Sequence, residues 1–133
     1  KFIQKIMSQL KDGKSELFIV NDKLGTPTYT HDFANNVRLL LEKELWGLYN
    51  MVCAGVTGRY EVTEELIKVL GMMDKVRITP VQSDFWKEEY FAERPASERL
   101  INKKLELRGL NRMRDWRICL AEYIENYYQG YLD

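Results

Sequence analysis

Histidine is almost missing from this chain. His31 stands alone among 133 residues, beside two cysteines and three prolines. One histidine cannot build a His-rich metal site, and Cys53 and Cys119 lack the close neighbour of a Cys-x-x-Cys pair. An excess of one charge is missing too. Lys+Arg and Asp+Glu each number 20 and are mixed along the chain. That balance argues against nucleic acid and against a polybasic membrane patch as partners. No apolar run approaches the roughly 20 residues that span a bilayer. The opening Lys1–Ile6 lacks the tripartite form of a signal peptide and has no initiator Met, which fits a piece of a longer chain. The cysteines sit among apolar neighbours, as buried thiols of a cytoplasmic protein do, and the sequence leaves open whether they pair.

The motifs of common chemistries are also missing. No two glycines are separated by a single residue, so the dinucleotide fingerprint is absent, and no Walker A run occurs. Gly55-Val56-Thr57-Gly58 reads as a turn. No tyrosine has a lysine four positions on; Tyr29, Tyr49, Tyr60, Tyr90 and Tyr123 all fail that test. His31 could serve as a base, but it reads better as a solvated residue in the first turn of a helix. Glu64-Glu65 and Glu88-Glu89 read as solvated faces, and nothing marks a glycosidase carboxylate pair.

What is present is a succession of short periodic segments. Phe2, Ile3, Ile6, Met7 and Leu10 share one helical face, with Gly13 as the stop. Glu16 to Val20 is a short strand, followed by a loop from Asn21 to Pro27 that the proline keeps extended. Thr30 is the expected N-cap of the next helix, with Asp32 in its first turn favouring the helix dipole. Phe33, Val37, Leu40, Leu41 and Leu45 form that helix's apolar stripe. Leu48 to Ala54 has the length and composition of a second strand. A helix from about Tyr60 to Leu70 follows, capped by Thr57 or Gly58, with Val62, Leu66, Val69 and Leu70 on one face and Gly71 at its end. Val76 to Val81 is a third strand, and Pro80 places it at an edge. Gln82 to Ser97 is a loop rich in aromatics. A short helix from Lys103 to Leu107 and a last one from Asp115 to Tyr128, with Asp115 as N-cap, complete the chain. The expectation is a single α/β domain over residues 1–133, rich in helix, with three short strands. That is too few for a nucleotide-binding sheet.

Five pieces, in order, resemble one family. Asn21-Asp22-Lys23-Leu24-Gly25-Thr26-Pro27-Thr28-Tyr29-Thr30-His31-Asp32-Phe33-Ala34 is similar to the Asp/Gln-x-x-Gly-x-Pro-Thr signature of dTDP-4-dehydrorhamnose reductases, in the extended short-chain dehydrogenase/reductase superfamily. Gly47 to Gly55 resembles the family's Gly-x-Tyr-(His/Asn) strand. Arg59-Tyr60-Glu61 resembles its helix start, with Gly58 where Ser is usual. Ile78 to Phe85 resembles the strand and loop ahead of the substrate pocket. Ala92-Glu93-Arg94-Pro95-Ala96-Ser97-Glu98-Arg99-Leu100 resembles its Ala-x-Arg-Pro-x-x-Ser-x-Leu, with Lys104-Leu105 after it.

The resemblance implies the carboxyl-terminal, substrate-binding domain of such a reductase, with the Rossmann half absent. A full-length relative reduces the 4-keto group of dTDP-4-dehydro-L-rhamnose with NADPH or NADH, and its Tyr-x-x-x-Lys and cofactor site lie upstream. This chain therefore carries no catalytic, cofactor or metal residue of its own. Its partners are the dTDP-sugar and the amino-terminal Rossmann domain, with a homodimer as a further option.

Arg94 is the candidate for the diphosphate, since guanidinium binds phosphate oxygens bidentately; a surface pair with Glu93 or Glu98 is the equal alternative. Gly25 and Pro27 would shape a tight loop from which Thr28 and Tyr29 present hydroxyls, unless the run merely turns the chain into the helix. Phe85, with Trp86, would pack on a thymine or sugar face, or else in the core or against the partner domain. Asp32 reads as a capping charge rather than a ligand. Two other readings are a regulatory subunit resembling that of methionine adenosyltransferase and another nucleotide-sugar epimerase, dehydratase or reductase.

Overall fold

The computed structural model of the chain describes residues 1–86 and 95–133. Five helices and two strands follow in the order α1 (Phe2–Lys11), β1 (Glu16–Val20), α2 (Thr30–Glu42), α3 (Arg59–Val69), β2 (Arg77–Val81), α4 (Lys103–Leu107) and α5 (Trp116–Tyr128), with a 3₁₀ turn at Ser83–Trp86. This is a small helix-rich α/β domain. The strands pair in parallel from Glu16↔Arg77 to Val20↔Val81. Among the described residues the sheet ends there, so it is not the many-stranded sheet that cradles a dinucleotide.

The core follows from the helical periods. Ile6, Met7 and Leu10 of α1, Leu17 and Ile19 of β1, Val62, Leu66 and Ile67 of α3, and Trp116, Leu120 and Ile124 of α5 form one buried cluster. On β1 the alternation puts Leu17 and Ile19 inward and Phe18 outward, as a pleat with period two requires. Asp115 caps α5 as expected, its carboxylate accepting from the Arg117 N–H at 2.8 Å. Gly58 rather than Thr57 is the N-cap of α3. Its N–H donates to Glu61 Oε2 at 2.9 Å, which ties off the amide just ahead of the first turn. Val62 and Leu66 face inward as expected, whereas Val69 is exposed.

The expected second strand, Leu48 to Ala54, does not form, whereas the expected third one does, as β2. Leu48–Cys53 has no ladder; only Ala54 makes a bridge, to Asp115. Strand composition is local, but a ladder needs a second strand in reach. Here Val52 exchanges both of its backbone bonds with one side chain instead. Its N–H donates to Asn102 Oδ1 at 2.9 Å and its carbonyl accepts from Asn102 Nδ2 at 2.8 Å.

The orientation of α2 is the second departure. Its N-cap is Tyr29, with Thr30 already helical. Its buried residues are Asp32, Asn36 and Leu40, while Phe33 and Leu41 of the expected stripe face solvent. Asp32 lies in the first turn, as expected, but its carboxylate is buried instead of standing at the helix end as a solvated charge. It pairs with Arg114 (2.7 Å), and Asn36 donates to Leu110 O at 3.0 Å and accepts from Arg112 N at 2.7 Å. One polar helix face thus satisfies backbone groups of an irregular, half-buried segment.

Gly55 shows how tightly the turn beside α5 is packed. Its φ is +99°, and a Cβ there would lie 2.7 Å from Trp116 Cδ1. Gly55→Ala is expected to cost about 2 kcal/mol from the left-handed backbone and the clash together. An unchanged urea midpoint would mean that the turn can relax away from α5.

Candidate functional site

The carboxyl ends of β1 and β2 lie side by side, because Val20 pairs with Val81. Loops leaving the carboxyl ends of parallel strands are where α/β proteins bind ligands. Here those loops are tied together. The Asp22 carboxylate accepts from the Ser83 N–H at 3.1 Å and from Ser83 Oγ at 2.7 Å. Asn21 Oδ1 accepts from Gln82 Nε2 at 3.2 Å. Burial pushes the Asp22 carboxyl up, but the Ser83 hydrogen bonds outweigh it and hold the group below the usual carboxylate range.

Leu24 is the hub of the next layer. Its N–H donates to Ala96 O at 2.9 Å, and its carbonyl accepts from Glu98 N at 2.9 Å. Gly25 N donates to Thr57 O at 2.9 Å, and Thr26 Oγ1 to Gly55 O at 2.8 Å. The signature loop is thereby clamped between the 55–58 turn on one side and the 96–98 segment on the other. On α3, Gly58 closes the clamp: a Cβ there would lie 2.7 Å from Lys23 O. The loop and the 96–98 segment, about 70 positions apart in sequence, become neighbours through Leu24.

The sequence-predicted residues divide accordingly. Gly25 and Pro27 are half-buried within the clamp, and Thr28 is exposed beside it. Phe85 is 56 % exposed, stacked on Phe18 at 5.7 Å and edge-on to Trp86 at 5.0 Å. Its ring stands outside the core, in an aromatic group at the strand ends. Tyr29 goes the other way. It is 7 % exposed and belongs to the core cluster, so its hydroxyl is not offered at the surface. Alternation explains this, since Thr28 outward places Tyr29 inward. Burial also raises the Tyr29 phenol above its ordinary value. Arg94 lies outside the described residues, although Ala96, two positions on, reaches the hub.

Sequence reasoning passed over Asp22 and Phe18. A polar pair at the ends of two consecutive strands, Asp22 with Ser83, was the available signal. His31 is exposed in the first turn of α2, as expected, with Nε2 2.7 Å from the Tyr127 hydroxyl. Cys53 and Cys119 are buried free thiols with their sulfurs 3.7 Å apart. Burial foremost, then the adjacent Asp32, pushes the Cys119 thiol up. Among the described residues no cluster of three or more His, Cys, Asp or Glu is placed to hold a metal ion. None of the described helices is long and apolar enough to cross a membrane.

The clamped loops match a known sequence pattern over nearly the whole chain. A family model described as the RmlD substrate binding domain matches residues 1–129. The chain belongs to this family. The five motifs read from the sequence pointed to the same assignment.

Relatives of this RmlD substrate-binding domain agree. The spore coat polysaccharide biosynthesis protein SpsK of Bacillus subtilis is 31% identical over 119 residues, covering 90% of the chain and 40% of that protein. A dTDP-4-dehydrorhamnose reductase of Mycolicibacterium smegmatis is 28% identical, covering 89% of the chain and 36% of that protein. Among solved structures, a dTDP-4-dehydrorhamnose reductase of Clostridium acetobutylicum superposes with a TM-score of 0.83 at 31% identity, over 92% of this chain and 42% of that one. That of Bacillus anthracis, in complex with NADP, gives 0.80 at 27% identity, over 96% and 43%. The chain thus spans about 40% of the length of these relatives.

Proposed function

We propose that this domain forms the substrate-binding part of a dTDP-4-dehydrorhamnose reductase, which reduces the 4-keto group of dTDP-4-dehydro-L-rhamnose with NADPH or NADH. The observation that carries the reading is the clamp at the strand ends. Leu24 holds the signature loop against the 96–98 segment, while Asp22 and Ser83 lock the loop that carries Phe85.

In this reading the domain contributes binding and orientation, with no proton or hydride step of its own. Gly25, Pro27 and Thr28 shape the wall over the sugar, and Tyr29 supports that wall from the core. Phe85 offers a free ring face for the base or the sugar. Arg94 binds the diphosphate from the segment that the hub holds in place. Cofactor binding and carbonyl protonation belong to the remainder of the parent chain, which acts in the cytoplasm.

The tests follow. The 133-residue chain alone is expected to give no NAD(P)H oxidation with dTDP-4-dehydro-L-rhamnose, and the parent chain is expected to turn it over. Turnover by the short chain, or none by the parent, would sink the reading. In the parent, Arg94→Ala is expected to weaken dTDP binding roughly 10- to 100-fold, the loss of a charge-assisted bond. Unchanged affinity by calorimetry would place Arg94 outside the pocket.

A further inference from the structure

We propose that Cys53 and Cys119 are a redox pair, which a hydroperoxide oxidises to a reversible disulfide that locks the turn beneath the signature loop to α5. Only groups within this chain take part, so the pair does not depend on the substrate reading above.

The first observation is the placement of the sulfurs. They lie 3.7 Å apart, although 66 positions separate the two residues in sequence. Backbone pairing holds them there. Ala54, next to Cys53, donates to Arg114 O at 2.9 Å and accepts from Trp116 N at 3.1 Å. Cys119 lies one turn further along α5, where its own N–H donates to Asp115 O at 3.2 Å. A disulfide brings its sulfurs to about 2.05 Å. With the backbones already fixed side by side, rotation about the two Cα–Cβ bonds closes the remaining gap.

The second observation is the polar surroundings of the two thiols, which apolar packing alone does not require. The Tyr29 N–H donates to Cys53 Sγ at 3.4 Å, and Cys119 Sγ donates to Asp32 Oδ2 at 3.3 Å. These partners divide the roles. Burial foremost, then Asp32, pushes the Cys119 thiol up and keeps it protonated. Cys53 is therefore the attacking sulfur, with an N–H aimed at it, and Cys119 the second, with a carboxylate placed to accept its proton.

In the first step the Cys53 thiolate attacks one oxygen of hydrogen peroxide and breaks the O–O bond. Its sulfur becomes a sulfenic acid, and the departing hydroxide takes up the proton that Cys53 gave up. In the second, the Cys119 sulfur attacks the Cys53 sulfur and breaks its S–O bond. The Cys119 proton passes by way of Asp32 to the departing hydroxide. The two thiols lose two electrons and two protons, and the peroxide becomes two waters. Both cysteines are buried, so the oxidant has to be small and arrives by local opening. The bond has a consequence because of where it lies. Cys53 leads into the turn at Gly55, whose carbonyl accepts from Thr26 Oγ1 of the signature loop at 2.8 Å.

Peptide mapping of the folded full-length protein after treatment with hydrogen peroxide tests this. Thiols are blocked with iodoacetamide before digestion. Trypsin places Cys53 in the peptide 44–59 and Cys119 in the peptide that begins at residue 118. The two are expected to be joined, lighter than their sum by two hydrogen atoms, and separated again by a dithiol. The Ala54 and Trp116 amides are expected to exchange roughly 10-fold or more slowly in the oxidised protein than in the reduced one. Recovery of both cysteines as blocked thiols would overturn the proposal, as would a bond from either to a different cysteine, or sulfonic acid without the link. A link that leaves the Ala54 and Trp116 amides unchanged would overturn the lock. Cys119→Ser, which has no second sulfur, is expected to hold Cys53 as a sulfenic acid that dimedone traps. Absence of that adduct in the folded variant would overturn the order of attack.

Discussion

Arg114→Ala is expected to lower the unfolding free energy of this chain by about 3 kcal/mol near neutral pH. Arg114 lies just ahead of the capping residue of α5, and its guanidinium grips Asp32 through Nε at 2.9 Å and Nη2 at 2.7 Å. The third nitrogen, Nη1, donates to Glu122 Oε2 at 2.6 Å. Asp32 is 5 % exposed, so removing the cation leaves a carboxylate with little access to water. Two donors remain, the Arg114 N–H at 3.2 Å and Cys119 Sγ at 3.3 Å. Those donors, and the partial exposure of Arg114, place the cost at the low end of the range for a broken buried pair.

The pH dependence has a definite sign. Hydrogen bonds from the Arg114 side chain, the largest influence, hold the Asp32 carboxyl below its ordinary value against the opposing effect of burial. A carboxylate depressed in the folded state stabilises above its unfolded pKa, about 3.9. That contribution is lost as pH falls through the folded value. The gap between wild type and Arg114→Ala should therefore narrow below about pH 4. Urea unfolding on either side of that value measures it. A gap that stays constant would assign the loss to packing of the arginine stem instead of its charge. Arg114→Lys should recover only part of the loss, because a point charge cannot replace a fork that reaches both Asp32 and Glu122.

Trp116→Ala is expected to cost about 3–5 kcal/mol, the largest single effect in the domain. Trp116 opens α5, is 1 % exposed and is the largest fully buried side chain. Its backbone N–H bonds Ala54, and its ring lies directly against Gly55, whose carbonyl holds Thr26 of the signature loop. The cavity would thus open beneath the turn that braces the candidate site. In the parent chain, the variant is expected to weaken dTDP binding along with stability. A loss under about 1 kcal/mol would mean that the turn collapses into the space, because the cost of a cavity depends on how far its walls relax.

The inner layer of this fold was legible because its causes are local. The period of α1, the alternation of β1 and the Asp115 cap each need only a few neighbouring residues. The same is true of the signature loop, whose Gly25 and Pro27 restrict the backbone wherever they occur. The stripe on α2 was legible as a stripe but not as an outward one. Periodicity reports that a helix has an apolar face, and does not report which body covers it. Asp32 and Asn36 won the inner position because the 110–114 segment, irregular and half-buried, needed their hydrogen bonds. For the same reason Leu48–Ala54 has the composition of a strand without forming one here.

The sequence by itself determined the order of the helices and of the two paired strands, and the family, since these rest on short-range patterns and on motifs read in order. Only the tertiary structure decided that Leu24 brings the Gly-Thr-Pro-Thr loop to the 96–98 segment, that Tyr29 turns inward and Phe85 outward, and that the polar face of α2 is the buried one. Each of these depends on pairings across 50 or more positions for which no local pattern in the chain encodes the partner. The free energy that selects them comes from satisfying buried backbone groups, a requirement that exists only once the chain has folded.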